Sequence, residues 1–159
     1  MYDEKFMRRA IELSAQALDI PGTRPYGAVV VKDGTIVGEG LNQSEKNFDP
    51  TSHGEVEAIR DACRRLGTAD LVGLDLYTSC EPCPLCVSAM MIAGIGQLYY
   101  AASLVQSARV IGRGRVPAID VLRRESALPA DGRRMPSEQK LDGEAAAVLE
   151  AWGKKYQPK

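Results

Sequence analysis

Three residues with metal-binding side chains, His53, Cys83 and Cys86, place the strictest demand on how this chain folds. Cys83 and Cys86 are three positions apart, a spacing that puts both sulfurs on one side of a helix. His53 is the one histidine of the sequence. If all three side chains bind a zinc ion, its fourth tetrahedral position stays open for water, which is typical of a catalytic zinc. We therefore expect a fold that brings these two distant segments together.

The residues around Cys83 indicate where the two sulfurs lie in their helix. Pro82 predicts that a helix begins at this point, because proline favours the first helical turn. Both thiols would then lie where free backbone N–H groups and the helix dipole lower the pKa of a thiol. Neither Cys63 nor Cys80 is placed to supply a fourth protein ligand. A redox-active C-x-x-C pair is the alternative to a metal site.

Glu55 belongs to the apolar face of a helix that the periodicity predicts over residues 53–66. This face consists of Glu55, Ala58, Ile59, Ala62, Cys63 and Leu66. A buried carboxylate is costly without a partner, and water at the open metal position is such a partner. A bound metal lowers the pKa of that water, so the carboxylate can accept its proton and return it to a leaving amine. His53 and Glu55 share a site only at the helix N-terminus, because residues two apart do not face each other along a helix.

The remaining patterns predict alternating helices and strands. We expect helices over residues 2–18, with Asp3 as the cap, over 83–93 and over 144–156. Strands are expected over 27–31, 35–41, 74–78 and 97–102, and a hairpin turn at Asp33-Gly34 joins the first two. Between residues 103 and 140 we expect a helix at 105–111 and a strand at 118–122. This alternation predicts an α/β sheet with helices on both faces and helix N-termini at one metal.

Length and charge bound the class of protein. The 159 residues suit one domain, 1–159, and no apolar run is long enough to predict a membrane helix. The charged N-terminal segment is not typical of a signal peptide, so we expect a cytoplasmic protein whose cysteines serve metal binding rather than disulfides. A net charge of −1 does not favour nucleic acid as a partner. The arginine-rich stretch from Arg109 to Arg134 leaves contact with RNA or an anionic substrate open.

Two short segments carry a family resemblance. His53-Gly54-Glu55 with Pro82-Cys83-Pro84-Leu85-Cys86 resembles the zinc deaminases of the cytidine deaminase superfamily, whose signature is H-x-E followed by P-C-x-x-C. The resemblance runs from Phe6 to Ala102 and is strongest to the bacterial guanine deaminases, over residues 25–31, 47–60 and 76–86. It implies a three-layer α-β-α sandwich with a central mixed sheet of about five strands. It also implies one zinc ion per chain, with Glu55 as the proton carrier.

The same resemblance implies a binding site for a nucleobase. Asn42 would hydrogen-bond the base, and Tyr26 would line the pocket. Family members form homodimers, and in the guanine deaminases the C-terminal segment is exchanged between subunits. Tyr156 would then complete the pocket of the partner, although an ordinary surface aromatic is the alternative. The usual H-A-E is H-G-E in this chain, a small change because the middle residue is not a ligand.

One departure from the guanine deaminases bears on the substrate. Where those proteins carry an acidic pair, this chain has the sequence from Ile111 to Arg115, which contains arginines instead. Asp120 would replace the missing acid if the loop is rearranged. An arginine there would suit a carbonyl-rich or phosphate-bearing substrate.

The sequence thus predicts hydrolytic deamination of a nucleobase or nucleoside, with guanine converted to xanthine and ammonia as the first choice. Deamination of adenosine in tRNA, or of cytosine or a triazine, uses the same chemistry and stays open. A zinc or redox module without enzymatic activity is the alternative from another class, and it leaves the inward-facing Glu55 unexplained.

Overall fold

The fold is organised around one hairpin and the two strands that extend its sheet. The computed structural model describes residues 1–111 and 119–156. Its strands are β1 (Arg24–Lys32), β2 (Thr35–Asn42), β3 (Asp75–Cys80) and β4 (Gln97–Ala102). They are ordered β2-β1-β3-β4. β1 runs antiparallel to both of its neighbours, and β3 pairs with β4 in parallel, so the sheet is mixed as predicted.

The turn between β1 and β2 has the geometry that its sequence predicts. Asp33 and Gly34 both have positive φ, 48° and 75°. Two consecutive residues of this kind form the type I′ turn, whose twist matches that of the flanking strands.

Helices cover both faces of the sheet, which confirms the three-layer prediction. α1 (Glu4–Ala15) packs on one face, and α2 (Gly54–Leu66) and α3 (Pro84–Ala93) pack on the other. Alternate strand residues supply the two cores, because successive side chains of a strand point to opposite faces. The α1 side contains Phe6, Met7, Leu13, Val29, Val31 and Tyr77. The α2 and α3 side contains Ala28, Val30, Ala58, Ala62, Leu76 and Met90, among others.

The carboxyl ends of three strands meet at one edge of this sheet. β2 and β3 are both antiparallel to β1, so they run parallel to each other and to β4. Asn42, Cys80 and Ala102 end these strands. Ligands of open α/β sheets bind at this kind of edge, and α2 and α3 both begin beyond it.

The helix predicted for residues 2–18 begins at Glu4. Asp3 is its N-cap, and the Asp3 side chain accepts a hydrogen bond from the Lys5 backbone N–H. Its last residues form a 3₁₀ turn, Gln16–Leu18. The helix predicted at 105–111 is confirmed as α4 (Leu104–Val110), which starts with a capping box between Ser103 and Gln106. Both helices begin where a side chain satisfies a free backbone N–H group.

The strand predicted at 118–122 is wrong. Residue 118 lies outside the described residues, and Ile119–Ala127 form a helix, α5. A short apolar run does not by its period distinguish a strand from a helix. The sheet therefore has four strands within residues 1–111 and 119–156, rather than about five.

The chain forms two compact units, Met1–Ile119 and Asp120–Lys159. The second contains most of α5, a 3₁₀ turn at Ala130–Gly132 and α6 (Asp142–Tyr156), which confirms the predicted C-terminal helix. One domain over 1–159 stays a prediction. Within the described ranges, none of the helices combines the length and the apolar character that crossing a bilayer requires.

Candidate metal and proton-transfer site

The site forms where α2 and α3 begin. His53 is the N-cap of α2 and Cys83 is the N-cap of α3, both in extended backbone conformation. The proline that opens α3 is Pro84 rather than Pro82, so the proline predicted to open the helix was wrong by two residues. Pro84 fits because the first helical position has no intrahelical use for an N–H group. Cys83 consequently lies just before the first turn, and Cys86 lies within it.

The three predicted ligands converge on one point. The Nδ1 atom of His53 lies 3.5 Å from Cys83 Sγ and 3.4 Å from Cys86 Sγ. The two sulfurs are 3.6 Å apart. In a tetrahedral zinc site with ordinary bond lengths, S–N edges are about 3.6 Å and S–S edges about 3.8 Å. The observed triangle matches these edges to within about 0.2 Å, so the donor set fits a zinc ion.

The charges of these side chains also suit a divalent cation. A hydrogen bond between the sulfurs lowers the pKa of Cys83 to about 4 and raises the pKa of Cys86. Contact with Cys83 raises the pKa of His53. A cation at this point would hold both sulfurs as thiolates and the imidazole neutral, and the two negative charges would balance a zinc ion.

Glu55 lies inside the protein, beside these residues. Its side chain is buried, and burial raises the pKa of its carboxyl group. The Oε2 atom is 3.3 Å from Cys86 Sγ, and Oε1 is 3.4 Å from the hydroxyl of Thr78. Within the described residues, the group that could hold a metal consists of His53, Cys83 and Cys86 and does not include Glu55. The carboxyl group therefore lies next to the candidate metal ligands without belonging to their group.

Asn42 and Tyr26, the predicted base contacts, lie in the same unit. Asn42 ends β2 and is buried, and its Oδ1 accepts hydrogen bonds from the backbone N–H and hydroxyl of Ser44. The Tyr26 hydroxyl lies 2.9 Å from the Ser107 hydroxyl. Tyr26 also lines a cavity of about 440 Å³ between α1, α4 and the sheet. His53 and Glu55 do not line this cavity, so it is separate from the metal ligands.

Tyr156 and Asp120, the other residues predicted to contribute to the site, both lie in the second unit. Tyr156 belongs to α6, is half-exposed, and packs against Trp152 with ring centroids 5.4 Å apart. Asp120 lies on α5, with a carboxylate oxygen 3.7 Å from Arg123. In the segment that departs from the guanine deaminases, the residues after Ile111, including Arg113 and Arg115, lie outside the described residues.

Sequence reasoning missed the network that fixes the loop before His53. Ser52, which is fully buried, donates a hydrogen bond to Glu57 and accepts one from the Asn47 side chain. Arg60 donates to both Glu57 and Asp49. The polar residues around Asp49 indicate a turn. They do not indicate that the loop forms hydrogen bonds with residues of α2. These hydrogen bonds hold the loop between Asn42 and His53 against α2, the helix that follows the loop.

Comparison with known proteins agrees with this geometry. The model of the cytidine and deoxycytidylate deaminase zinc-binding region matches residues 1–102. The guanine deaminase of Bacillus subtilis (strain 168) is 38% identical over 154 residues, 96% of this chain and 94% of that protein. An X-ray structure of guanine deaminase from Bacillus subtilis aligns with a TM-score of 0.86 and 36% identity, over 100% of this chain and 98% of that one.

A second kind of relative matches a shorter part. The tRNA-specific adenosine deaminase of Aquifex aeolicus (strain VF5) is 38% identical over 102 residues, 64% of this chain and 67% of that protein. All of these relatives are deaminases, which sets aside a zinc or redox module without activity. With a zinc-fitting triangle of His53, Cys83 and Cys86 inside the matched region, the chain belongs to the cytidine and deoxycytidylate deaminase family of zinc-dependent hydrolases.

Proposed function

We propose that this protein is a guanine deaminase, which converts guanine and water to xanthine and ammonia. The observation that carries the proposal is the extent of the similarity. The match to the guanine deaminase spans 96% of the chain, whereas the match to the tRNA-specific enzyme spans 64%. Similarity to a guanine deaminase therefore continues beyond the zinc-binding region at residues 1–102, into the segment most suited to substrate selection.

His53, Cys83 and Cys86 hold the zinc ion in this proposal. Bound zinc supplies Lewis-acid activation of water, whose pKa it brings towards neutrality. Three protein ligands would leave room for that water. The helix N-termini at His53 and Cys83 direct positive dipole ends towards it, which favours a negative charge that develops there.

Glu55 moves the proton. The carboxylate accepts a proton from water as the oxygen adds to the guanine carbon that bears the exocyclic amine. It gives this proton to the adjacent ring nitrogen. It then takes the remaining proton of the added hydroxyl group and passes it to the amine, so that the carbon–nitrogen bond breaks, ammonia leaves and the hydroxyl oxygen becomes the carbonyl of xanthine. Burial supports this role because it excludes bulk water from the transfer path.

Asn42, Tyr26 and Tyr156 are the proposed contacts to the base. Because the Asn42 oxygen already accepts from Ser44, its side-chain N–H groups are the part that would donate to the acceptor atoms of guanine. Tyr26 would bound the pocket from β1. Tyr156 would reach the base in a homodimer with exchanged C-terminal segments. Its half-exposed ring on α6 is compatible with such a contact.

Deamination of adenosine in tRNA is the second candidate, because a tRNA-specific adenosine deaminase is 38% identical over 102 residues, the same identity that the guanine deaminase shows over 154 residues. The two candidates differ in their dependence on salt. Binding to tRNA phosphates weakens steeply as salt rises, while recognition of an uncharged base does not.

The test is an ammonia-release assay on the zinc-loaded protein with guanine, guanosine, adenine, cytosine, their nucleosides and triazines, alongside an assay for inosine in tRNA. The proposal expects the highest kcat/KM with guanine and formation of xanthine in equal amount to ammonia. Release of ammonia from another base with greater kcat/KM, or salt-sensitive inosine formation in tRNA with no turnover of guanine, contradicts it.

A further inference from the structure

We propose that Thr78 is a positioning residue that orients the Glu55 carboxyl group, by binding Oε1 and leaving Oε2 on the side of the metal ligands. This inference rests on the proposed function, because it assigns the means by which the proton carrier is held. It adds a residue of β3 to a site otherwise built from helix N-termini.

The contacts of Thr78 and Glu55 divide the two carboxyl oxygens between separate partners. Thr78 Oγ1 lies 3.4 Å from Glu55 Oε1, and Cys86 Sγ lies 3.3 Å from Oε2. Oε2 therefore faces a metal ligand while Oε1 faces the sheet. Rotation about the last bond of a glutamate side chain is soft, so a partner on one oxygen decides which way the other oxygen points.

Thr78 is held in place by strand pairing on both sides and by burial of its side chain. It lies on β3, one of the two inner strands, and its backbone pairs with Ala28 on one side and Tyr100 on the other. Its side chain is 1% exposed. Branching at Cβ restricts the χ1 rotation of a threonine, and burial in the sheet restricts it further. The hydroxyl is thus a fixed point from which the carboxyl group is oriented.

The chemical identity of this residue is unexpected on packing grounds alone. Thr78 and Leu76 point to the same face of β3, and Leu76 lies in the apolar core under α2 and α3. Valine would fill the same space without a polar atom to bury, and a buried hydroxyl is costly unless it is paired. The polar neighbours of the Thr78 hydroxyl are Glu55 Oε1 and the carbonyl oxygen of Gly27, each at 3.4 Å. The single hydroxyl proton is donated to one of these two acceptors at a time, and the inference assigns it to Glu55 because an ionised carboxylate is the stronger acceptor.

The test compares Thr78→Val, which keeps the shape and removes the hydroxyl, with Thr78→Ser, which keeps the hydroxyl. Ser79→Ala is the matched control. Ser79 is the next residue of the same strand, is buried, and accepts a hydrogen bond from the Gly27 backbone N–H without touching Glu55. For each variant, kcat and KM for guanine, the zinc content per chain, the melting temperature and the crystal structure of the zinc-loaded protein are measured.

We expect Thr78→Val to lower kcat about 10-fold, the worth of one hydrogen bond to a charged group, with KM unchanged within about 2-fold. Its crystal structure should show the Glu55 carboxyl group rotated, with one zinc per chain retained. Thr78→Ser should restore kcat to within about 3-fold of the parent protein. Ser79→Ala should lower the melting temperature and leave kcat unchanged.

The inference is overturned if Thr78→Val keeps the parent kcat, if Thr78→Ser is as impaired as Thr78→Val, or if the rotated carboxyl group is not seen. An equal loss of kcat in Ser79→Ala assigns the effect to general destabilisation and also overturns it. Failure of the proposed function is recognised separately. In that case the parent protein does not turn over guanine, or Glu55→Gln keeps its activity, whatever Thr78 does.

Discussion

Gly40 on β2 provides a sharp test of how the fold holds the metal ligand His53. A Cβ atom added at Gly40 would lie 2.1 Å from the carbonyl oxygen of Gly54 and 2.3 Å from the backbone nitrogen of Ala58. Both atoms belong to the backbone of α2, so they cannot turn aside as a side chain would. Glycine at this position allows α2 to lie directly on β2.

The size of the effect follows from these distances. Ordinary van der Waals contact begins at 3.4 Å, so Gly40→Ala forces α2 to move by about 1 Å. Overpacking of this kind costs about 3 kcal/mol, which lowers the melting temperature of a chain of this size by about 6 to 12 °C. His53 caps α2 and moves with it. A shift of about 1 Å exceeds the tolerance of a metal site, so zinc affinity should fall about 10- to 100-fold.

The assay is a thermal melt with and without zinc, together with a competitive zinc titration. Gly153→Ala is the matched control, because Gly153 lies inside α6 and a Cβ there meets nothing within 4 Å. Alanine has the better helix propensity, so this control should raise stability by about 1 kcal/mol. The reasoning is refuted if Gly40→Ala melts and binds zinc like the parent protein, or if Gly153→Ala is destabilised as strongly.

Three further predictions concern the proton carrier, the ligands and a surface ion pair. Glu55→Gln should keep one zinc per chain and lose at least about 100-fold in kcat, measured by ammonia release. Cys86→Ser should lower the zinc content below one per chain, measured by mass spectrometry of metals. Glu39→Gln removes a carboxylate that Arg9 contacts through two nitrogens at 2.8 and 2.9 Å, and should cost about 1 kcal/mol of unfolding free energy at pH 7.

The pH dependence of the last prediction has a definite sign. The hydrogen bonds from Arg9 hold the pKa of Glu39 below its usual value. The stabilisation is therefore fully present above the unfolded pKa of about 4.3, and it is lost as the pH falls through the lower, folded value. Denaturant unfolding of Glu39→Gln should match the parent protein at the acid end. An equal difference at every pH contradicts this.

The outcomes for the other two variants are equally definite. A Glu55→Gln protein that retains its turnover removes the proton-carrier role, and one that loses its zinc shows that Glu55 supports the metal instead. A Cys86→Ser protein with full zinc content and affinity excludes that sulfur from the metal site. Cys63→Ser is the control for the sulfur change, since Cys63 lies on α2 outside the metal-binding group.

Local signals in the sequence predicted the helices other than α5, the four strands and the meeting of His53 with Cys83 and Cys86. These features depend on period, turn residues and ligand spacing, which are properties of short segments. The strand at 118–122 was wrong because a short apolar run fits either period. Pro82 precedes Cys83 and was predicted to open the helix, but the helix begins at Pro84, which has the same residue type.

Two parts of the site could not be predicted from the sequence. Thr78 meets Glu55 only because β3 lies beneath the start of α2, and no local pattern pairs them. The bonds from Ser52 and Arg60 to Glu57 likewise depend on how a loop folds back onto its helix. Such contacts between distant residues are set by tertiary packing, whereas sequence periodicity reports mainly which face of an element is buried.

X-ray absorption spectroscopy of the zinc-loaded protein tests the central claim most directly, because it counts the atoms bound to the metal. The account predicts two sulfur atoms at about 2.3 Å and two nitrogen or oxygen atoms at about 2.0–2.1 Å, one from His53 and one from solvent. In the Cys83→Ser variant, the spectrum should show one sulfur atom fewer bound to the zinc ion. Three or four sulfur ligands, or fewer than two, would contradict a site of one imidazole and two thiolates with an open fourth position.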